Sequence, residues 1–510
     1  MPVTSPIRFY HDGRIVEVQD AEPTATVLDW LREKARRKGT KEGCAEGDCG
    51  ACTVLVAELA PPDLPSGAGK SGAVLVGGLS IRPVNACIRF LPTLDGCALL
   101  TVEDLALAGT DAPHPVQQAM IDCHGSQCGF CTPGFIMTLA ATYERHCEAG
   151  TRPTRAELSD DLAGNLCRCT GYRPILEAGS RMFDLPECRI DTLPIERALR
   201  SLAGETVRYE GRGARFWAPR TLEEFAERRA AEPEARLLAG ATDIGLWVNK
   251  QMREIGDVLY IGAVPELRRV EEVDGVLRIG AATPLEDAFK ALVSHWPSLS
   301  EVHLRFASPP VRHAGTIGGN VANGSPIGDG PPTLMALGAE LVLRRGPERR
   351  RIALDRFYLD YMKNELRPGE FVERIDVPLP VPGQEVRVYK VSKRYDSDIS
   401  AVCAALAIER GPDGKVEGAR FAYGGMAATV RRASAAEAAA VDGDWSEDAL
   451  RAAQEALRSE FKPMTDLRAS ADYRKLVASN LLERFWLETR SGALSPLPAA
   501  RTSVFATLRG

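Results

Sequence analysis

Apolar and polar positions near the start of the chain follow a two-residue alternation that is interrupted by a turn. Apolar residues between positions 7 and 18 flank Asp12-Gly13, and this pattern predicts a β-hairpin closed by an Asp-Gly turn. Residues 26–31 then open an amphipathic helix. We predict that the hairpin, the helix and a cysteine-rich loop form one small α+β domain over residues 1–93.

Helical periodicity replaces the alternation between residues 114 and 183. The clearest segments are 115–121 and 133–140, and Thr132 and Pro133 supply an N-cap and a first-turn proline for the second of them. We therefore predict a helical domain over residues 94–185. Residues 186–212, which have neither paired cysteines nor glycine motifs, are predicted to be a linker.

The pattern changes again beyond the linker, to short β-runs, glycine turns and helices. Residues 235–243 are typical of it and predict a different α+β domain over 213–385. A last α+β domain, 386–510, ends in helices rich in Ala, Glu and Arg after Ser446. The predicted fold class is therefore multidomain α+β.

Composition agrees with several soluble domains, because 510 residues correspond to roughly three or four of them. The 63 Lys and Arg against 69 Asp and Glu give a net charge of −6, without the basic excess that nucleic-acid binding requires. The start of the chain has no basic segment followed by an apolar one, and no run of about 18 apolar residues follows. We expect a cytoplasmic protein that binds neither nucleic acid nor membrane.

The cysteines are unevenly distributed, since twelve of the 13 precede residue 190. Clustered cysteines in a reducing compartment more often bind metal than form disulfides. Cys44, Cys49 and Cys52 have the plant-type ferredoxin spacing of a [2Fe-2S] site, which needs a more distant fourth thiolate, and Cys87 is our candidate. The nearby glycines would let backbone N–H groups point inward at the anionic cluster.

A second constellation pairs Cys128 and Cys131 with Cys167 and Cys169. Four thiolates at this spacing suit another [2Fe-2S] cluster or a structural zinc ion, and the neighbouring ferredoxin spacing favours the cluster. Cys123, Cys128 and Cys131 repeat the ferredoxin spacing. If Cys123 were a ligand, however, either Cys167 or Cys169 would have no place among the four ligands. We therefore interpret Cys123 as a bystander.

Two loops of the third domain, residues 237–244 and 315–320, place small residues after apolar segments. Neither is a Gly-x-Gly-x-x-Gly fingerprint, so a Rossmann domain is not predicted. Tight turns explain each loop alone, whereas the pair, followed by residues 325–330, favours a dinucleotide whose pyrophosphate meets free backbone N–H groups. Asp329 could accept hydrogen bonds from flavin or ribose hydroxyls, although an Asp in a glycine turn is often only a turn former.

The segments EGCAEGDCGACTV (42–54), GSQCGFCTPG (125–134) and GNLCRCTGYRPI (164–175) closely resemble the molybdenum hydroxylase family. The resemblance is greatest to the iron–sulfur/FAD subunits of its bacterial xanthine dehydrogenase branch, and it extends over nearly the whole chain. It implies a ferredoxin-like β-grasp [2Fe-2S] domain, a helical [2Fe-2S] domain, an FAD-binding α+β domain of the PCMH/VAO type and a C-terminal domain like that of CO dehydrogenase flavoproteins.

The resemblance also implies roles for particular residues. One cluster would be held by Cys44, Cys49, Cys52 and Cys87, and the other by Cys128, Cys131, Cys167 and Cys169. The FAD pyrophosphate would be held by Leu237, Leu238, Ala239, Gly240, Ala241, Thr242, Asp243, Ile244, Thr316, Ile317, Gly318, Gly319 and Asn320, with Phe306, Asp329, Val372 and Lys390 as further flavin contacts. Residues 390–398 resemble a loop near the flavin and nicotinamide site.

The function implied is electron transfer within a larger enzyme. A molybdenum–pterin centre on a large partner subunit would oxidise hypoxanthine or xanthine, and electrons would pass through the clusters to FAD and then to NAD+ in a heterotetramer. No residue of this chain is expected to catalyse the hydroxylation itself. The alternatives are the equivalent subunit of an aldehyde, nicotinate or CO dehydrogenase, and, from another class, a zinc-stapled interaction scaffold.

Overall fold

The computed structural model describes residues 5–61, 72–105, 112–490 and 495–503. The described residues form two compact units, the first within the ranges 1–268, 284–290 and 308–316 and the second within 269–283, 291–307 and 317–510. Within the described ranges, none of the helices combines the length and the hydrophobicity needed to cross a membrane.

A six-stranded sheet forms the start of the first unit. Its strands are β1 Ile7–His11, β2 Arg14–Val18, β3 Thr53–Leu59, β4 Val74–Val76, β5 Leu79–Asn85 and β6 Ala98–Leu100, in the order β2-β1-β6-β3-β5-β4. The hairpin is present as predicted, with Asp12 and Gly13 at φ 53° and 75°. Strand β6 lies beyond the predicted boundary at residue 93, so that boundary would cut the sheet.

Strand β3 is covered on both faces because its two sets of alternating side chains enter different cores. Leu55 and Ala57 pack with the helical domain, whereas Val54 and Val56 pack on the opposite side. A strand buried on both faces reads as a continuous apolar run, which is how this strand appears in the sequence. The sheet is thus the centre of the first unit.

The helical domain follows this sheet and supplies one of its two covers. After α1 Val27–Asp29, the helices are α2 Pro115–Asp122, α3 Thr132–Ala149, α4 Arg155–Asp161 and α5 Arg173–Arg181. Thr132 is the first residue of α3 and not its N-cap, since Cys131 takes the N-cap position without a side-chain cap bond. A cysteine of the second constellation therefore lies directly at a helix N-terminus.

A second sheet completes the first unit. It consists of β7 Val207–Gly211, β8 Ala214–Ala218, β9 Arg236–Leu238 and β10 Val258–Tyr260 in the order β7-β8-β10-β9, with helices α6 Thr192–Leu202, α7 Leu222–Ala231 and α8 Ile244–Asn249. The segment 186–212, predicted to be a linker, contains α6 and β7. It is structured because Ile195, Leu199 and Leu202 of α6 are buried and β7 pairs with β8.

The second unit contains a five-stranded antiparallel sheet. Its strands are β11 Val270–Val273, β12 Val276–Gly280, β13 Glu340–Arg345, β14 Glu348–Ala353 and, after the small pair β15 Tyr358–Asp360 and β16 Lys363–Asn364, β17 Phe371–Pro378. The order is β11-β12-β17-β13-β14. Between β12 and β13 the chain forms α9 Leu285–His295, α10 Ser300–Arg305, α11 Pro309–Ala314, α12 Ile317–Asn323 and α13 Gly330–Ala336, of which α11 belongs to the first unit.

The C-terminal part of the second unit is a four-stranded antiparallel sheet covered by helices. The strands are β18 Gln384–Val391, β19 Val402–Arg410, β20 Val416–Gly424 and β21 Arg431–Arg432, and the helices are α14 Ser434–Ala440, α15 Glu447–Glu460, α16 Ala471–Thr489 and α17 Ala499–Thr502. Leu406 of β19, Leu457 of α15 and Phe485 of α16 share one core. Alternate residues of β19 enter this core, and α15 contributes its apolar face.

Candidate iron–sulfur and flavin sites

The first cysteine site lies at one end of the first sheet. Thr53 of β3 pairs with Asn85 of β5, so Cys52, which precedes β3, comes beside Cys87, which follows β5. The Cys87 thiol interacts with the thiols of Cys44 and Cys52, and the Cys44 thiol also interacts with that of Cys49. The sheet therefore brings together the four cysteines predicted to share a cluster.

Backbone N–H groups surround this site. Those of Glu46 and Cys49 donate to the Cys44 sulfur over 3.5 and 3.4 Å. The chain curls back on itself through left-handed residues, including Gly47 at φ 79° and Gly50 at φ 69°. The donors that an anionic cluster requires are thus in place, as the glycine-rich sequence predicts.

The four thiols of the first site affect one another's ionisation. Hydrogen bonds from Cys49 and Cys87 lower the pKa of Cys44. The pKa values of Cys49 and Cys87 are raised, in each case first by the hydrogen bond to Cys44. Several thiolates can coexist here only if a cationic centre lies among them, and iron supplies that charge in a cluster.

The second site is built at the N-termini of two helices. Cys128 and Cys131 precede α3, Cys167 and Cys169 precede α5, and the thiols interact as the pairs Cys128–Cys169 and Cys131–Cys167. Burial and the contact with Cys167 raise the pKa of Cys131 to about 12. Cys128 and Cys169 are exposed, whereas Cys167 is buried. A helix N-terminus stabilises an adjacent negative charge, so α3 and α5 both favour an anionic group here.

Cys123 has different neighbours. It is the C-cap of α2, packs partly against the helical core, and burial raises the pKa of its thiol. The charges that act on it come from Asp122, Glu177 and Arg181. It is partly buried at the end of α2, and none of the thiols of the two predicted sites is among the groups that shift its pKa.

Asn165 links the two cysteine sites. Its Nδ2 donates to the Gly50 carbonyl over 3.0 Å, and its Oδ1 accepts from the Thr138 hydroxyl over 2.7 Å. The next residue, Leu166, donates its N–H to the Cys49 carbonyl over 3.0 Å. Sequence reasoning missed Asn165, although it precedes the Cys167 pair in the motif. The two loops that carry predicted ligands are thus directly hydrogen-bonded.

Both sites fit [2Fe-2S] clusters. Within the part of the chain that the structure describes, no group of three or more His, Cys, Asp or Glu side chains is arranged around a single metal ion. The thiols instead form two sets of four, and backbone N–H groups donate to the sulfur of Cys44 and to that of Cys167. A [2Fe-2S] cluster takes four thiolates shared between two irons, so the donor sets match this group.

The first predicted flavin loop lies in the first unit, between β9 and α8. Gly240 is essential to its packing, because a Cβ there would lie 1.9 Å from the Ala314 carbonyl oxygen. Ala241 is left-handed at φ 60°, and burial raises the pKa of Asp243. Residues 239–243 therefore form a tight turn between β9 and α8. Thr316 belongs to the same unit and pairs with Pro284.

The second predicted flavin loop differs from the expectation. Ile317, Gly318, Gly319 and Asn320 open helix α12 in the second unit. The N–H groups of Ile317 and Gly318 are engaged, since they donate to Thr283 over 3.0 Å and Ala281 over 2.9 Å. Gly318 is needed for this approach, as a Cβ would lie 2.5 Å from that of Ala281. The expected row of free backbone N–H groups is therefore wrong at these two positions.

The remaining predicted flavin residues also lie in the second unit. Asp329 and Lys390 form a buried ion pair of 2.5 Å, and Ser400 donates to the other Asp329 oxygen over 2.5 Å. Asp329 is thus already bonded within the protein. Phe306 at the end of α10 and Val372 on β17 are both buried.

An unpaired acceptor in the second unit fits a flavin nucleotide. Asn320 Oδ1 is buried without a hydrogen-bond partner, and so is Thr283 Oγ1. Buried polar atoms are rarely left unpaired, so these two are suited to polar groups of a bound molecule. Asn320 Oδ1 and Thr283 Oγ1 therefore fit polar groups of a bound FAD. The hydrogen-bonded network of Lys390, Asp329 and Ser400 is not predicted by the sequence.

Family models match four consecutive parts of the chain. They are a 2Fe-2S iron–sulfur cluster binding domain over residues 9–88, a [2Fe-2S] binding domain over 101–180, an FAD binding domain in molybdopterin dehydrogenase over 207–380, and a CO dehydrogenase flavoprotein C-terminal domain over 387–489. The FAD model includes β7, which sequence reasoning assigned to the linker.

Curated relatives match over most of this chain. It is 31% identical over 486 residues to xanthine dehydrogenase of Drosophila subobscura and 29% identical over 562 residues to xanthine dehydrogenase/oxidase of Rattus norvegicus. These alignments cover 84% and 98% of this chain. They cover 35% and 41% of the relatives, so the chain spans well under half of their length.

A solved structure matches about half of the chain. It is a carbon monoxide dehydrogenase from Hydrogenophaga pseudoflava that lacks the Mo-pyranopterin moiety of its cofactor, with 30% identity and a TM-score of 0.50. The match covers 53% of this chain and 94% of that chain. The chain belongs to the molybdenum hydroxylase family. Two [2Fe-2S] domains, an FAD-binding domain and a C-terminal flavoprotein domain follow one another in this chain, which confirms the predicted multidomain α+β fold.

Proposed function

We propose that this chain is the iron–sulfur/FAD subunit of a xanthine dehydrogenase. Its role would be to accept electrons from a molybdenum–pterin centre on a large partner subunit and to deliver them to NAD+, in support of hypoxanthine and xanthine oxidation to urate. The observation that carries this proposal is the pairing of two four-thiol sites in one chain with the FAD-binding family match. Bound at these sites, the clusters would carry single electrons and FAD would convert them to hydride transfer.

The residues proposed to hold the groups are those gathered in the two units. Cys44, Cys49, Cys52 and Cys87 would ligate one cluster, and Cys128, Cys131, Cys167 and Cys169 the other. The turn of residues 237–244 and residues 316–320 would hold the FAD pyrophosphate. Ile317 and Gly318 would contribute through the shape of the segment and not through their N–H groups, which are engaged. Phe306, Asp329, Val372 and Lys390 would be further flavin contacts, with Lys390 kept in position by its ion pair to Asp329.

The extent of the matches favours xanthine dehydrogenase over other molybdenum hydroxylases. Proteins named xanthine dehydrogenase match 84% to 98% of this chain in the two alignments above, whereas the carbon monoxide dehydrogenase chain matches 53%. In this chain both cluster domains precede the flavin domain. We propose that the relatives named xanthine dehydrogenase share this arrangement, because they match nearly the whole chain. The remaining part of those relatives would correspond to the partner that holds molybdenum, in a heterotetramer located in the reducing cytoplasm.

Cofactor analysis of the purified full chain tests the redox role. We expect visible absorption, about four iron atoms per chain as two [2Fe-2S] clusters, and FAD. A folded protein that is colourless and free of iron would contradict the proposal. If it also contained zinc, the interaction scaffold would be the better interpretation.

A further inference from the structure

The sulfur of Cys167 has three hydrogen-bonding neighbours in the segment that follows it. The N–H groups of Cys169 and Thr170 donate to it over 3.4 and 3.5 Å. The Thr170 hydroxyl oxygen lies 3.3 Å away. The hydroxyl is the contact that a substitution can remove, because the other two belong to the backbone.

The direction of the hydroxyl contact follows from the neighbouring groups. Tyr172 donates its N–H to Thr170 Oγ1 over 3.1 Å, so this oxygen already acts as an acceptor. A cysteine sulfur bound to iron carries no proton and can only accept. The Thr170 hydroxyl must therefore donate its hydrogen to Cys167 whenever a cluster is held there.

The backbone fixes this arrangement. Tyr172 is left-handed at φ 69°, an uncommon conformation for a bulky residue, and its hydroxyl accepts the Cys167 N–H over 3.0 Å. Its ring also lies edge-on to Phe135 of α3, with centroids 6.3 Å apart. Tyr172 is thus held at both ends, and it holds the Thr170 oxygen beside the sulfur.

The Cys44 sulfur of the first cysteine site has no comparable hydroxyl donor among its hydrogen bonds to described residues. The donors to the Cys44 sulfur are the backbone N–H groups of Glu46 and Cys49. A side-chain hydroxyl on a ligand sulfur therefore distinguishes the second site from Cys44 of the first. Two clusters in one chain can be given different reduction potentials in this way.

We propose that the Thr170 hydroxyl raises the reduction potential of the cluster held by Cys128, Cys131, Cys167 and Cys169. This inference rests on the ligand set given under the proposed function. Reduction adds one electron and one negative charge to the cluster, and no atom is transferred. A hydrogen bond to a ligand sulfur stabilises the more negative state, so it makes the electron easier to accept.

The test is a dithionite titration of the full chain, followed by electron paramagnetic resonance, with dithionite as the source of the electron. The signal of the second cluster is identified as the one that Cys128→Ser alters. We expect Thr170→Val to lower the equilibrium constant for its reduction about tenfold, which is about 59 mV for one electron. Thr170→Ser keeps the hydroxyl and should stay within about twofold of the wild type. Thr132→Val, which removes a hydroxyl bonded to Ser126, is the matched control and should change nothing.

Thr170→Ala also removes the hydroxyl, and it controls for any change in packing that the valine side chain causes in Thr170→Val. An unchanged potential in either variant with full iron content would overturn the inference. Loss of the second cluster from both variants, with its retention in Thr170→Ser, would also overturn it, because Thr170 would then hold the loop and not tune the potential. If the wild type itself lacks a second cluster signal, the ligand assignment fails instead.

Discussion

Cys87 and Cys123 are both thiols near a ferredoxin-like spacing, but the chain gives them different neighbours. The pairing of β3 with β5 places Cys87 beside Cys44 and Cys52, whereas Cys123 lies at the end of α2 among charged side chains. By their spacing in the sequence, both are candidate cluster ligands. Their three-dimensional neighbours favour Cys87 as the ligand, because a cluster needs four thiolates within reach of two irons.

Replacement of these cysteines separates a ligand from a bystander. We expect Cys87→Ser to lose about half of about four iron atoms per chain, because one of two [2Fe-2S] sites lacks a thiolate. Cys123→Ser is the control and should keep all of them. Iron analysis with visible spectra measures both variants, and loss of half the iron in the Cys123 variant would contradict the assignment.

Glu58 provides a pH-dependent contribution within the first unit. Burial alone would raise the pKa of Glu58, but the charges of Arg268 and Arg89 outweigh burial and lower it to about 2. Glu58 lies 2.6 Å from Arg268, and both side chains remain about 30% exposed, at 29% and 31%. A carboxyl with a depressed pKa stabilises the fold above its ordinary pKa of 4.5 and loses that effect as pH falls toward 2.

We therefore expect Glu58→Gln to lower the free energy of unfolding by about 1 kcal/mol at pH 7, a value reduced for solvent screening. The difference from the wild type should shrink between pH 4.5 and about 2. Urea unfolding at several pH values measures it. Glu447→Gln, which removes an exposed partner of Arg451, is the control and should have little effect. A Glu58 effect independent of pH would exclude the ion pair as its cause.

At the scale of elements, helix α3 approaches the first cysteine loop at a glycine. A Cβ on Gly134 would lie 2.1 Å from the Gly50 carbonyl oxygen, and a Cβ on Gly50 would lie 2.2 Å from that of Gly164. Both contacts are with backbone, which cannot move aside as a side chain could. The close approach of the two cysteine sites thus depends on residues without side chains.

Gly134→Ala should separate α3 from the loop. We expect a loss of about 1 to 3 kcal/mol in the free energy of unfolding, as for overpacking elsewhere. Gly443→Ala, where a Cβ meets no atom within 4 Å, is the matched control and should change stability by no more than about 0.5 kcal/mol. Equal stability of the two variants in denaturant titrations would contradict the close packing.

Some of these elements are predictable from the local sequence and others are not. The Asp12-Gly13 hairpin and the α3 helix follow from local patterns, and the structure contains both. The predicted boundary at residue 93 differs from the structure, because β6 lies beyond it and pairs with β1 and β3. The predicted linker at 186–212 also differs, because helix α6 within it is buried. Pairings that close over long separations carry no local signal.

The candidate sites follow the same rule. The short cysteine spacings are local and point directly to the thiol sets. The Asp329–Lys390–Ser400 network and the Asn165 link join residues far apart in sequence, so only the fold reveals them. The N–H groups of Ile317 and Gly318 were expected to be free because a glycine-rich segment resembles a loop, whereas here it begins a helix.

At the scale of the whole molecule, this chain has the domains for electron transfer but matches only 35% and 41% of the two relatives described above. Under the proposed function, its two thiol sites and flavin domains would carry electrons, and a partner that contains the molybdenum centre would oxidise and select the substrate.

NADH formation by this chain co-purified with its partner tests the central claim most directly. The account predicts that NADH forms from NAD+ only when xanthine or hypoxanthine is supplied, and that Cys87→Ser in this chain abolishes or strongly reduces it. Activity with aldehydes but not with purines would contradict the assignment to xanthine dehydrogenase, and undiminished activity in the Cys87 variant would contradict the electron path through this chain.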